Sequence, residues 1–79
     1  MIAPGEIVRL VESAIPGARA TARDLTGGQD HYEITVVASA FQGRSLVERH
    51  RLVYEALRAP LAGPLHAVQL KTLAPEEVR

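Results

Sequence analysis

The sequence predicts a single small α+β domain in which helices cover one face of a three-stranded sheet. Apolar residues recur at helical spacing over 7–15, an alternating stretch at 18–24 and one rich in β-branched and aromatic residues at 31–38 flank a turn, and a second amphipathic segment opens at Ser45. The resulting order is helix, strand, strand, helical turn, helix, strand, helix. No internal repeat, low-complexity run or linker interrupts it, so residues 1–79 are expected to form one domain.

Ile7, Val8, Leu10, Val11, Ala14 and Ile15 line one side of the first helix, with Glu6, Arg9 and Glu12 on the other. Pro4 suits its first turn, and Pro16-Gly17 stops it. In Ala18–Asp24, small Ala18, Ala20 and Ala22 alternate with Arg19, Thr21 and Arg23, a strand with its basic residues outward. Thr26-Gly27-Gly28-Gln29-Asp30 is a turn, and a hairpin explains the glycine pair better than a phosphate cradle does. His31–Ala38 is the clearest strand and completes the hairpin. Ser39–Gln42 forms a helical turn that Gly43 breaks.

Ser45-Leu46-Val47-Glu48 fits a capping box and opens the strongest helix. Leu46, Val47, His50, Val53, Tyr54 and Leu57 form its expected inward arc, with Glu48, Arg51, Glu55 and Arg58 toward water. Arg51 stands at pairing distance from both Glu48 and Glu55. Pro60, Gly63 and Pro64 are expected to end the helix. His66–Thr72 reads as the third strand, with Val68, Leu70 and Thr72 on the face opposite Ala67, Gln69 and Lys71. Pro75 opens a last short helix, and Glu76-Glu77 suit the positive end of its dipole.

Composition excludes several classes of function. The chain has no cysteine, so disulfides, thiolate zinc sites, cysteine nucleophiles and Cys-ligated clusters within it are ruled out. Nine basic residues balance nine acidic ones, without the basic excess that usually neutralises phosphates. Zero net charge also weakens self-repulsion and permits association. MIAPGEIV lacks the pattern of a signal peptide and no apolar run reaches the length of a membrane span, so a cytoplasmic protein without membrane contact is expected. No serine has a recognisable base and acid partner, no short metal spacing such as H-x-x-x-H occurs, and no enzyme is expected.

Asp30-His31-Tyr32, Phe41-x-Gly43, Arg49-His50-Arg51, Val53-Tyr54 and His66-Ala67, with Thr72 and Pro75-Glu76 near the end, together resemble the BolA-like family over nearly the whole chain. The resemblance implies a fold related to the class II KH arrangement. It further implies an adaptor that pairs with a monothiol (CGFS) glutaredoxin to share a [2Fe–2S] cluster, in iron–sulfur trafficking or iron-status regulation. That partner would supply its own cysteine and a glutathione thiolate, and the isolated chain is expected to hold no cofactor.

His66 matches the family's cluster-ligating histidine, and neutral imidazole is a suitable iron ligand. Its alternative role is to cap the strand. Many family members place a second ligand in the loop between the first two strands, but TGGQD offers neither cysteine nor histidine. The second ligand is then His31 or an oxygen donor such as Asp30. His50 reads as a buried, hydrogen-bonded histidine. Arg49 suits a glutathione carboxylate or a phosphate, or simply a solvated surface.

The alternative function is a DNA-binding transcriptional regulator using the helix-turn-helix-like segment 39–57, with Arg44, Arg49 and Arg51 as contacts. Glu48 and Glu55 on the same face oppose phosphate and place this reading second. A third reading is self-association as a homodimer through a free sheet edge.

Overall fold

The computed structural model describes residues 1–78. Helix α1 (Pro4–Ala14) begins with Pro4 in the first turn, where a missing N–H costs no hydrogen bond. It buries Ile7 and Val11, and Gly17 leaves it with a left-handed φ of 72°. Strands β1 (Arg19–Asp24) and β2 (His31–Val37) pair antiparallel, from Arg19 opposite Val37 to Asp24 opposite Tyr32.

The turn between them is built around one carboxylate. Asp24 accepts the backbone N–H groups of Thr26, Gly27 and Gln29 at 3.2, 2.9 and 3.1 Å. Gly27 takes a φ of 82°, which a side chain would resist. The amides that might have cradled a phosphate are therefore already bonded, Gly27 N–H to Asp24 and Gly28 N–H to the Thr26 hydroxyl at 3.1 Å.

After a 3-10 turn at Ser39–Phe41, α2 (Leu46–Ala56) opens with the expected capping box. Ser45 N–H donates to the Glu48 carboxylate at 2.9 Å, and Glu48 N–H donates to the Ser45 hydroxyl at 3.2 Å. A short α3 (Arg58–Leu61) follows at once, and strand β3 (Ala67–Leu73) then runs parallel to β2, from Ala67 beside His31 to Leu73 beside Val37. The sheet order is β1-β2-β3. The closing element is a single 3-10 turn, Pro75–Glu77.

Tyr32, Ile34 and Val36 of central β2 are completely buried beneath Ile7, Val11, Phe41, Val53 and Leu57. A central strand with helices over one face produces this pattern, leaving Glu33, Thr35 and Val37 on the uncovered side.

Three expectations need correction. Leu46, Val47 and Tyr54 lie outward and exposed, while α2 turns Val53 and Leu57, flanked by half-buried Arg49, His50, Leu52 and Ala56, toward the sheet. The arc is displaced because Arg49 takes an inward position through an ion pair with Glu77, described below. Pro60 does not end the helical region: it lies buried in the first turn of α3, where no intrahelical N–H is needed. Arg51 has no carboxylate within ion-pair range among the described residues, since Glu48 serves the cap and Glu55 pairs with Arg58 at 3.3 Å.

Candidate functional site

The parallel register of β2 and β3 brings the two candidate ligands together. His31 opens β2 beside Ala67, so the residue before Ala67 arrives next to Asp30-His31. The Asp30 carbonyl accepts both His66 N–H, at 2.8 Å, and Ala67 N–H, at 3.2 Å. The His31 and His66 rings lie with centroids 6.3 Å apart, inclined at 57°. His66 is exposed and the His31 side chain is 42% exposed, so both can meet a partner.

Asp30 fixes the state of His31. Its carboxylate lies 2.8 Å from His31 Nδ1, and that hydrogen bond, aided by the Thr26 hydroxyl, holds its pKa below the ordinary carboxylate value. An ionised carboxylate only accepts, so in the neutral imidazole the proton sits on Nδ1 and Nε2 is the nitrogen with a lone pair for a metal. A carboxylate behind a ligating histidine is a common way to orient the ring and raise its basicity. Asp30 therefore sits behind His31 as its orienter. Sequence reading named Asp30 only as a possible oxygen donor; its place beside His31 was visible, its direction was not.

Among the described residues, no three His, Cys, Asp or Glu side chains gather into a self-contained metal site. The donor set is two imidazoles and no thiolate. That chemistry fits one iron of a [2Fe–2S] centre in which two histidines replace two cysteines, and it requires the other iron to be held from outside.

Of the three arginines, Arg44 and Arg51 are exposed and Arg49 is withdrawn. Arg44 Nε donates to the Ala40 carbonyl at 2.9 Å, and Arg49 Nε to the Arg44 carbonyl at 3.1 Å. The Arg49 guanidinium is bidentate to Glu77, at 2.6 and 3.1 Å, and lies 5.9 Å from the Phe41 ring centre. Only 12% of its side chain is exposed. Its donors are thus occupied within the chain, where they tie α2 to the C-terminal turn. Glu77 as its partner was not foreseen, because nothing local links residues 28 positions apart. Arg51 remains exposed.

His50 is half-buried, edge-on to Tyr54 with ring centres 6.1 Å apart. Its Nε2 is buried without a hydrogen-bond partner, which corrects the expected bonded histidine; Thr72 Oγ1 is likewise unpartnered.

Residues 10–77 match the family model for BolA-like protein. BolA-like protein 1 of Mus musculus is 45% identical over 53 residues, covering 67% of this chain and 39% of that protein's length. A bolA protein homologue from Coxiella burnetii superposes with a TM-score of 0.83 at 32% identity, covering 98% of this chain and 96% of the other. The BolA domain of SufE1 from Arabidopsis thaliana gives 0.84 at 32% identity, covering 95% and 94%.

Proposed function

The chain belongs to the BolA-like protein family, and from that premise we propose that it is an adaptor sharing a [2Fe–2S] cluster with a monothiol CGFS glutaredoxin. His66 and His31 are its ligands, and the partner contributes its cysteine and a glutathione thiolate. The observation that carries this reading is the adjacency of the two imidazoles, with ring centroids 6.3 Å apart at one end of the sheet.

Each residue has a distinct task. Asp30 anchors His66 through its backbone carbonyl and orients His31 through its carboxylate. His66, the more exposed, is the first to meet the partner. When bound, a cluster with mixed histidine and thiolate ligands has a raised potential and a weaker hold than four thiolates, which suits transfer or sensing. In Arabidopsis thaliana a BolA domain forms part of SufE1, so the module there is joined to other protein, consistent with an adaptor role. Duplex DNA fits this chain less well, because Arg49 is turned inward onto Glu77 and the exposed Arg44 and Arg51 are accompanied by exposed Glu48 and Glu55.

The test is anaerobic cluster reconstitution with a CGFS glutaredoxin and glutathione, followed by visible absorption and circular dichroism. The expected result is a spectrum distinct from that of the glutaredoxin alone and lost in His66→Ala. A spectrum identical with and without this chain overturns the proposal.

A further inference from the structure

The two edges of the sheet are finished differently. In the β1–β2 ladder, Leu25 N–H donates to the His31 carbonyl, so the odd-numbered residues of β1 bond to β2. The N–H and C=O groups of Ala20 and Ala22 therefore face outward, and there Glu12 of α1 accepts Ala20 N–H at 3.0 Å. A side chain thus occupies this edge.

Along the opposite edge, among the described residues, no side chain caps the backbone at Val68 or Leu70, while Thr72 near its far end is 5% exposed. Ala67 N–H donates to the Asp30 carbonyl and Ala38 N–H to the Leu73 carbonyl, so the odd-numbered residues of β3 bond to β2. The backbone groups of Val68, Leu70 and Thr72 point away from the sheet, and among the described residues their N–H groups have no partner. Val68 and Leu70 are only half-buried, although their β2 neighbours Tyr32 and Ile34 are completely buried. The strand holds no proline and no inward charge, two of the devices that blunt an edge, and its single outward charge is Lys71.

We propose that the β3 edge receives the β3 edge of a second copy, antiparallel about a two-fold axis at Leu70. Leu70 is the midpoint of Ala67–Leu73, so this register overlaps the whole strand. Leu70 then exchanges hydrogen bonds with its own counterpart, and Val68 with Thr72, using the outward groups of both copies. On the uncovered face Gln69 meets the other copy's Lys71 and Ala67 meets Leu73. Charge supports a second copy as the occupant. Lys71, the strand's single charge, faces a glutamine rather than itself, and Glu33 lies one strand further in beside Gln69. Zero net charge leaves no long-range repulsion to overcome. The two His66 residues fall at opposite ends of the seam, each about 13 Å along the strand from the axis. This inference is independent of the cluster reading.

A seam of one short strand per copy buries less than a standard interface of about 1,600 Å², so the dimer is weak and concentration-dependent. The experiment is sedimentation equilibrium of the full chain from about 10 µM to about 1 mM, with amide exchange of Val68, Leu70 and Thr72 followed over the same range. Dimer should grow with concentration while those three amides become protected. Gln69→Lys, at an exposed position, sets like charges opposite each other twice and should weaken association about ten-fold. Adding Lys71→Glu to that variant restores opposite charges and should restore the dimer. His66→Ala should dimerise as the parent does, even where it fails to share a cluster. A monomer at every concentration overturns the proposal and leaves the edge to a different protein's strand. A dimer indifferent to Gln69→Lys overturns it as well.

Discussion

At the entrance to β3, His66 is held by its backbone, through the 2.8 Å bond to the Asp30 carbonyl, and its ring is left exposed. His31 is constrained the other way, by a ring nitrogen bonded to the Asp30 carboxylate. The two should therefore fail differently when altered. His66→Ala removes the proposed ligand and should abolish the shared-cluster spectrum. Asp30→Asn keeps both imidazoles but loses the carboxylate that fixes the His31 tautomer; loss of such an orienting partner typically costs about 10- to 100-fold in metal affinity. A faster loss of the cluster to a chelator, with the spectrum's shape retained, is the expected signature. If His31 is not a ligand, Asp30→Asn leaves that rate unchanged. The candidate ligands were legible as residue types near strand starts. Their adjacency was not, because it depends on β3 running parallel beside β2, a pairing set by the fold across 36 residues rather than by local pattern.

At the scale of elements, α2 shows what local pattern can and cannot specify. The capping box was readable from Ser45 and Glu48 because its hydrogen bonds close within one turn. Ser45→Ala should cost about 1 kcal/mol in denaturant unfolding. The buried arc was misplaced because hydrophobicity alone assigned it. Leu46 and Val47 occupy the helix's first turn and are exposed, whereas polar Arg49 turns inward to meet Glu77 and Phe41. Two variants separate these alternatives. Leu57→Ala empties a fully buried position and should cost about 2–5 kcal/mol. Leu46→Ser and Val47→Ser should each stay within about 0.5 kcal/mol of the parent. A large loss from either serine variant would mean that α2 packs through its first turn after all. The outward-facing residues of β3 followed the expected alternation because a half-covered sheet imposes period two on its strands.

Across the whole molecule, the perturbed groups define a pH window for stability. On the acid side, the hydrogen bond from Arg49, with Ala74 N–H adding to it, lowers the Glu77 pKa from its ordinary 4.5. Hydrogen bonding within the Ser45 cap lowers that of Glu48 in the same way. A carboxyl group whose pKa is depressed on folding stabilises the native state above its unfolded pKa, and that contribution is lost as pH falls through the folded value. On the alkaline side, burial raises the Tyr32 pKa from 10.0, with Asp24 and Asp30 adding to the effect. The sign is then opposite: the unfolded tyrosine ionises first, so stability is full below about 10 and declines as pH climbs toward the folded value. Tyr32 is wholly buried, and its hydroxyl donates to the Ile2 carbonyl, which ties the N-terminal residues to the core. Tyr32→Phe removes both the ionisation and that bond. It should lower stability by about 1–3 kcal/mol at neutral pH, because the Ile2 carbonyl loses its donor. It should also flatten the decline above about pH 10. Glu77→Gln, by contrast, should lower the melting temperature at neutral pH and soften only the acid arm, since Arg49 then loses its charged partner at every pH. Melting temperatures of the parent and both variants across pH 3 to 11 provide the check. An alkaline arm that persists unchanged in Tyr32→Phe would show that the buried phenol does not control the upper limit.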